Sequence, residues 1–108
     1  DFEQGYPVTD CDPRAVAHGR AAAEDLFGPG AWRTMHAPLM GAEDFSYVLE
    51  RTPGAMFFLG AAAGEGDAAS CCGLHSNRMV LEERVMARGA ALLAEVARRF
   101  LAGGFGGG

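Results

Sequence analysis

Apolar residues recur at helical spacing in three stretches of the chain and run together without alternation in a fourth. Asp12-Pro13 predicts a helix start, with Asp12 as the cap and Pro13 at the first helical position. Val16, Gly19, Ala23, Leu26 and Phe27 then form an apolar stripe, while Arg14, Arg20, Glu24 and Asp25 take the solvent side. Gly28-Pro29-Gly30 ends the helix. Residues 32–36 read as a short extended stretch. Residues 42–51 read as a second helix, with Phe45, Val48 and Leu49 as its buried side and Pro53-Gly54 as its stop. Ala55-Met56-Phe57-Phe58-Leu59 is too short for a helix between two glycines, and a strand apolar on both faces is expected inside a sheet covered by helices. A last helix is expected from about Glu82 to Leu101, with Val85, Gly89, Leu92, Leu93, Val96 and Phe100 as its stripe. Glu82 and Glu83 sit at its positive end, Arg98 and Arg99 at its negative end, and Glu95 is placed to pair with Arg99. Helices alternating with short extended runs predict an α/β fold.

Residues 60–78 carry neither period and are rich in Gly, Ala and Ser. A loop of that length in a compact domain is usually functional or disordered. Residues 103–108 read as a flexible glycine-rich tail, outside the fold. With 108 residues the chain has room for one domain. Its 49% hydrophobic and 21% charged residues are a globular composition. The formal charge of −5, from 9 basic and 14 acidic residues, argues against a nucleic-acid groove or an anionic membrane surface as partner. No apolar run approaches the roughly 18 residues of a membrane span. The 3 cysteines are an odd number and Cys71 and Cys72 are adjacent, so no disulfide framework follows and a reducing cytoplasm is the expected setting. Position 1 is Asp, and no signal segment follows it, so a processed start or a piece of a longer protein is expected.

Two stretches carry candidate chemistry. In Met40-Gly41-Ala42-Glu43-Asp44-Phe45 a glycine and two carboxylates meet at an expected helix start, where backbone N–H groups can receive an anion. The plainer reading is that Glu43 and Asp44 only complement the helix dipole. In Gly73-Leu74-His75-Ser76-Asn77-Arg78 a loop histidine stands just before the last helix, a suitable place for a metal ligand. A catalytic zinc needs about three protein ligands, so His75 alone makes no site. Cys71, Cys72 and His75 offer soft ligands close together, but adjacent cysteines rarely turn to one ion. His18, expected to face solvent on the first helix, and His36 read as ordinary surface or packing residues. Nucleophile elbows, phosphate loops and His-Glu-x-x-His are absent.

Met40-Gly41-Ala42-Glu43-Asp44-Phe45, then Pro53 to Gly60, then Leu74-His75-Ser76, then Gly89-Ala90-Ala91-Leu92-Leu93-Ala94 together resemble the C-terminal segment of M20 metallopeptidases. The nearest branch is the amidohydrolase one, with hippurate, N-acyl-amino-acid and auxin-conjugate hydrolases. Tyr6-Pro7 and Asp12-Pro13 match where such chains leave the lid domain and re-enter the catalytic domain. The resemblance implies a zinc-exopeptidase α/β sheet with helices on both faces. Residues 1–11 would end the lid domain, and 12–102 would form the last part of the catalytic domain. It implies His75 as one metal ligand and Met40, Gly41, Glu43 and Asp44 as active-site lining. No catalytic residue falls in the segment: the general-base glutamate and the other ligands belong upstream. Two divalent metals per complete site are implied, zinc foremost and Mn, Co or Ni as alternatives. The implied partners are a small N-acyl amino-acid-like substrate, the remainder of the catalytic domain, and a second copy through the lid domain. Departures from the family pattern fall at Cys11, usually Asn, and at Asn77, Met79 and Val80, usually Pro, aromatic and acidic. The last three flank His75, and the departures bear on substrate preference.

Two other readings stand beside this one. The scaffold could serve as a non-catalytic α/β interaction module, which the upstream ligand motifs would distinguish. A small zinc-stabilised domain on Cys71, Cys72 and His75 would instead be unfolded without metal.

Overall fold

The computed structural model describes residues 1, 3–63 and 73–106. Their order is α1 (Pro13–Phe27), a one-turn α2 (Ser46–Leu49), α3 (Val85–Gly103) and a 3-10 turn (Gly104–Gly106). The start of α1 forms as its sequence dictates. Asp12 is extended and its carboxylate accepts from the Arg14 N–H at 2.8 Å, with Pro13 just inside. At the other end Gly28, at φ 94°, turns the chain away while its N–H still donates to the Glu24 carbonyl.

α1 packs against α3 through small side chains. Ala15, His18, Gly19, Ala22 and Ala23 are its buried residues, and Leu26 is exposed. The buried stripe is therefore rotated from the expected one, and His18 faces inward rather than toward solvent. Alanines and a glycine let the two helices approach closely, and that leaves Leu26 on a ridge with nothing over it. His18 Nε2 lies 3.0 Å from the Val96 carbonyl, so that nitrogen carries the proton and donates across the helix pair. Arg99 of α3 pairs with Glu95 at 2.7 Å, as its i,i+4 spacing predicts, and reaches Asp25 of α1 at 2.9 Å. Leu93, expected on the packed stripe of α3, is 75% exposed.

The apolar run 55–59 crosses both helices on glycines. A Cβ on Gly19 would collide with the Phe57 ring, and one on Gly89 would stand 3.0 Å from a Leu59 methyl. Phe57 also meets Trp32 edge to face, with centroids 5.3 Å apart. Phe58 points the other way and is 56% exposed. The segment is thus covered on one face only, where coverage on both was expected. Residues 32–36 likewise form no strand. Among the described residues the expected sheet is not formed; one antiparallel bridge joins Ala62 to Leu81. A strand needs neighbours on which to spend its backbone groups, and these residues bring none.

The second helix is one turn where residues 42–51 were expected. Its entry is made by tight bonds, Ser46 N–H to the Glu43 carbonyl and Tyr47 N–H to the Asp44 carbonyl, so 43–45 form a turn instead of helix. Ser46 is fully buried and its hydroxyl donates to the Glu43 carbonyl at 2.6 Å, while Phe45 and Val48 are exposed. α3 likewise starts at Val85, because Glu82 bends back to bond the Arg84 N–H and guanidinium. At the far end the expected tail is partly folded: Phe105 returns onto His18 and Phe100, with centroids 5.8 and 4.8 Å away.

Among the described residues the buried apolar side chains are those of Ala15, Ala22 and Ala23. The accessible surface is 8799 Å², against about 5,700 Å² for a single folded domain of this mass. No helix among the described residues is long and apolar enough to cross a membrane.

Candidate functional site

Residues 37–45 form a protruding loop with apolar Leu39 and Met40 at its tip, and Met40 is 97% exposed. Glu43 bends back at its end, and its carboxylate accepts from the Phe45 N–H at 3.1 Å. With Ser46 and Tyr47 N–H also bonded inside the turn, the donors that would receive an anion at this helix start are already used. Glu43 is thus engaged within the turn that precedes α2, and the expected anion receptor is not formed. Asp44 is exposed, and its backbone carbonyl rather than its side chain secures the turn.

His75 sits at φ 70°, the one non-glycine residue with positive φ among the described residues. The turn around it is tied by Ser76 N–H to the Gly73 carbonyl, Met79 N–H to the Ser76 carbonyl and Arg78 N–H to the Ser76 hydroxyl. Left-handed backbone at an imidazole-bearing residue costs roughly 1 kcal/mol, and such outliers cluster at functional sites. The ring is exposed. Its donor chemistry suits one coordination position. Among the described residues no three His, Cys, Asp or Glu side chains are grouped to hold a metal ion. Cys71 and Cys72, and with them the zinc-clip reading, lie outside the described residues. His18 is committed to Val96, and His36 is exposed.

Two concavities lie elsewhere. A cleft of about 550 Å³ opens between residues 10–13 and 49–54, and one of about 150 Å³ adjoins it beside Val8 and Ser46. Met40, Gly41, Glu43, Asp44 and His75 line neither. The two walls of the larger cleft are tied by Asp12 N–H donating to the Gly54 carbonyl at 2.9 Å. Cys11 Sγ accepts from Met56 N–H at 3.4 Å just behind them. Asp12-Pro13 as a helix start and Pro53-Gly54 as a helix stop were each legible in the sequence, but nothing local says that the two segments meet. The side-chain hydrogen bond from Arg14 holds the Asp12 carboxyl down at about 2. Arg98 first and Arg99 second do the same for Glu95, also to about 2, and Arg84 lowers Glu82. These are ion pairs at helix starts and along α3, which perturb titration without marking a reactive group.

The sequence profile of Peptidase family M20/M25/M40 matches residues 1–99. This chain belongs to that family. The M20 match takes in both the 40–45 loop and the His75 turn. Among curated proteins the chain is 33% identical over 95 residues to hippurate hydrolase of Campylobacter jejuni, covering 88% of this chain and 23% of that protein. It is 32% identical over 96 residues to an IAA-amino acid hydrolase of Arabidopsis thaliana, covering 89% and 20%. A probable hydrolase of Synechocystis is 31% identical over 100 residues, covering 93% and 25%. The M20 chain thus spans a fifth to a quarter of the length of these relatives. No solved structure matches it significantly.

Proposed function

We propose that the chain is the last part of the catalytic domain of a metal-dependent amidohydrolase that cleaves the amide bond of N-acyl amino acids or similar small amides. The observation that carries this reading is the M20 match over residues 1–99, shared with relatives named for hydrolysing hippurate and IAA-amino acids. The many exposed large apolar side chains, Leu93, Leu101 and Phe58 among them, support it, since such faces ask for the remainder of a domain. In this reading 55–59 is a strand of the α/β sheet, flanked by strands from elsewhere in the enzyme.

His75 holds one of two divalent ions, zinc foremost, through an imidazole nitrogen projected by the strained turn. When bound, the metal pair supplies Lewis acidity toward the amide carbonyl and lowers the pKa of water. Glu43 braces the turn into α2, and this fixes Met40 and Gly41 at the rim of the site. The carboxylate of Asp44 positions the substrate or a neighbouring active-site group. The general-base glutamate and the other ligands lie in the rest of the enzyme.

In the complete enzyme His75→Ala should lower kcat by roughly a hundredfold or more, because losing a ligand costs at least what losing a ligand's support does. Metal content, read by atomic absorption, should fall with it while the melting temperature stays near normal. His36→Ala is the control, expected within a fewfold of wild type. His18 cannot serve as a second control, being buried and bonded to Val96. Normal turnover and metal content in His75→Ala would remove His75 from the site.

A further inference from the structure

We propose that the Gly104–Gly106 turn is a latch: seated between His18 and Arg14, Phe105 holds the start of α1 and so one wall of the adjoining cleft. Phe105 lies beyond the residues that match the family, so the device belongs to this chain and does not depend on the hydrolase reading. Gly104, at φ 64°, makes the reversal that brings the ring back, a conformation open to glycine at little cost.

Three groups receive the ring. His18 meets it edge to face at 5.8 Å, Phe100 lies against it at 4.8 Å, and the Arg14 guanidinium carbon stands 5.4 Å from its centroid. Arg14 is itself held by Asp12, with Nε and Nη2 donating to the two carboxylate oxygens at 3.0 and 2.7 Å. Asp12 in turn donates its backbone N–H to the Gly54 carbonyl at 2.9 Å, across the mouth of the cleft of about 550 Å³. A continuous set of contacts therefore runs from Phe105 through Arg14 and Asp12 to both cleft walls. Docking the turn immobilises Arg14 from one side while Asp12 orients it from the other. Releasing the turn frees that guanidinium and loosens the 10–12 wall.

Hydrogen exchange in the complete protein tests the latch. In Phe105→Ala, the amides of residues 10–12 and 14 should exchange roughly two- to fivefold faster, the size of an exposed cation–π contact. Those of residues 20–28, at the other end of α1, should not change. Phe105→Tyr should behave as wild type. Arg14→Gln should reproduce the effect of Phe105→Ala, and the double variant should add little to either. Should Phe105→Ala fail to fold, Phe105→Leu, which keeps an apolar side chain and loses the ring face, is read by the same criteria. Unchanged exchange at 10–12 and 14, an equal rise at 20–28, or multiplying effects in the double variant would each overturn the proposal.

Discussion

A methyl group on Gly19 would collide with the edge of the Phe57 ring, whereas one on Gly89 would press only on the end of Leu59. Two nominally identical substitutions should therefore separate. Gly19→Ala must push the ring off α1 and should cost about 1–3 kcal/mol. Gly89→Ala asks a half-exposed leucine to give by a few tenths of an ångström and gains helix propensity, so it should be within about 1 kcal/mol of neutral. Thermal or urea melts of the two variants check this; equal losses would contradict it. Titration belongs to the same scale. Asp12 and Glu95 are held at about 2 from ordinary values of 3.8 and 4.5 by their arginine partners. Depressed carboxyls stabilise the fold fully above their unfolded values, and that stabilisation is lost as pH falls toward 2. The melting temperature should hold above about pH 4.5 and decline below it. Asp12→Asn and Glu95→Gln should flatten that decline while lowering the plateau slightly, because exposed ion pairs are worth little.

Between elements, coverage decides more than propensity does. Residues 55–59 have the composition of a doubly buried strand, yet helices cover the Phe57 face alone and Phe58 is 56% exposed. If neighbouring strands and a second helical layer complete that face in the whole enzyme, Phe58→Ser should have two different costs. In this chain by itself the change should stay within about 0.5 kcal/mol, as for a surface position. In the complete enzyme it should cost about 3 kcal/mol, as for loss of a buried aromatic. Denaturant melts of both proteins compare the two, and a small cost in both would mean that the face stays open. α3 presents a second uncovered face of the same kind, with Leu93 and Leu101 75% and 85% exposed.

At the scale of the whole molecule, a chain with 8799 Å² of surface and, among the described residues, only alanines as buried apolar side chains has little to hold it together alone. A single core of this size normally rests on large buried side chains. The purified chain should melt broadly, bind a hydrophobic dye and scatter light on standing. A sharp two-state melt of a monomer would contradict that. It should also leave hippurate and N-acetyl amino acids intact, since it groups no three metal-ligating side chains among the described residues. Chelator-sensitive hydrolysis by the pure chain would place a complete site within it.

Features governed by a single turn of chain were legible before any coordinates. Asp12-Pro13 and Gly28 bounded α1, Glu95 found Arg99, and the motif blocks from Met40 to Ala94 pointed to the family that residues 1–99 match. Each depends on neighbours a few residues away, which the order of amino acids already contains. What the sequence could not decide was which face would be covered. His18 looked solvated because it falls off the expected apolar stripe, and it is buried because α3 places the Val96 carbonyl 3.0 Å from its ring. Residues 42–51 looked like a helix by period, but Glu43 and Ser46 spend their hydrogen bonds on a turn. Phe105 looked like part of a tail until His18 and Phe100 offered it a surface. Burial comes from segments distant in sequence, and a sheet needs strands to either side. The same composition is therefore core or surface according to what folds against it.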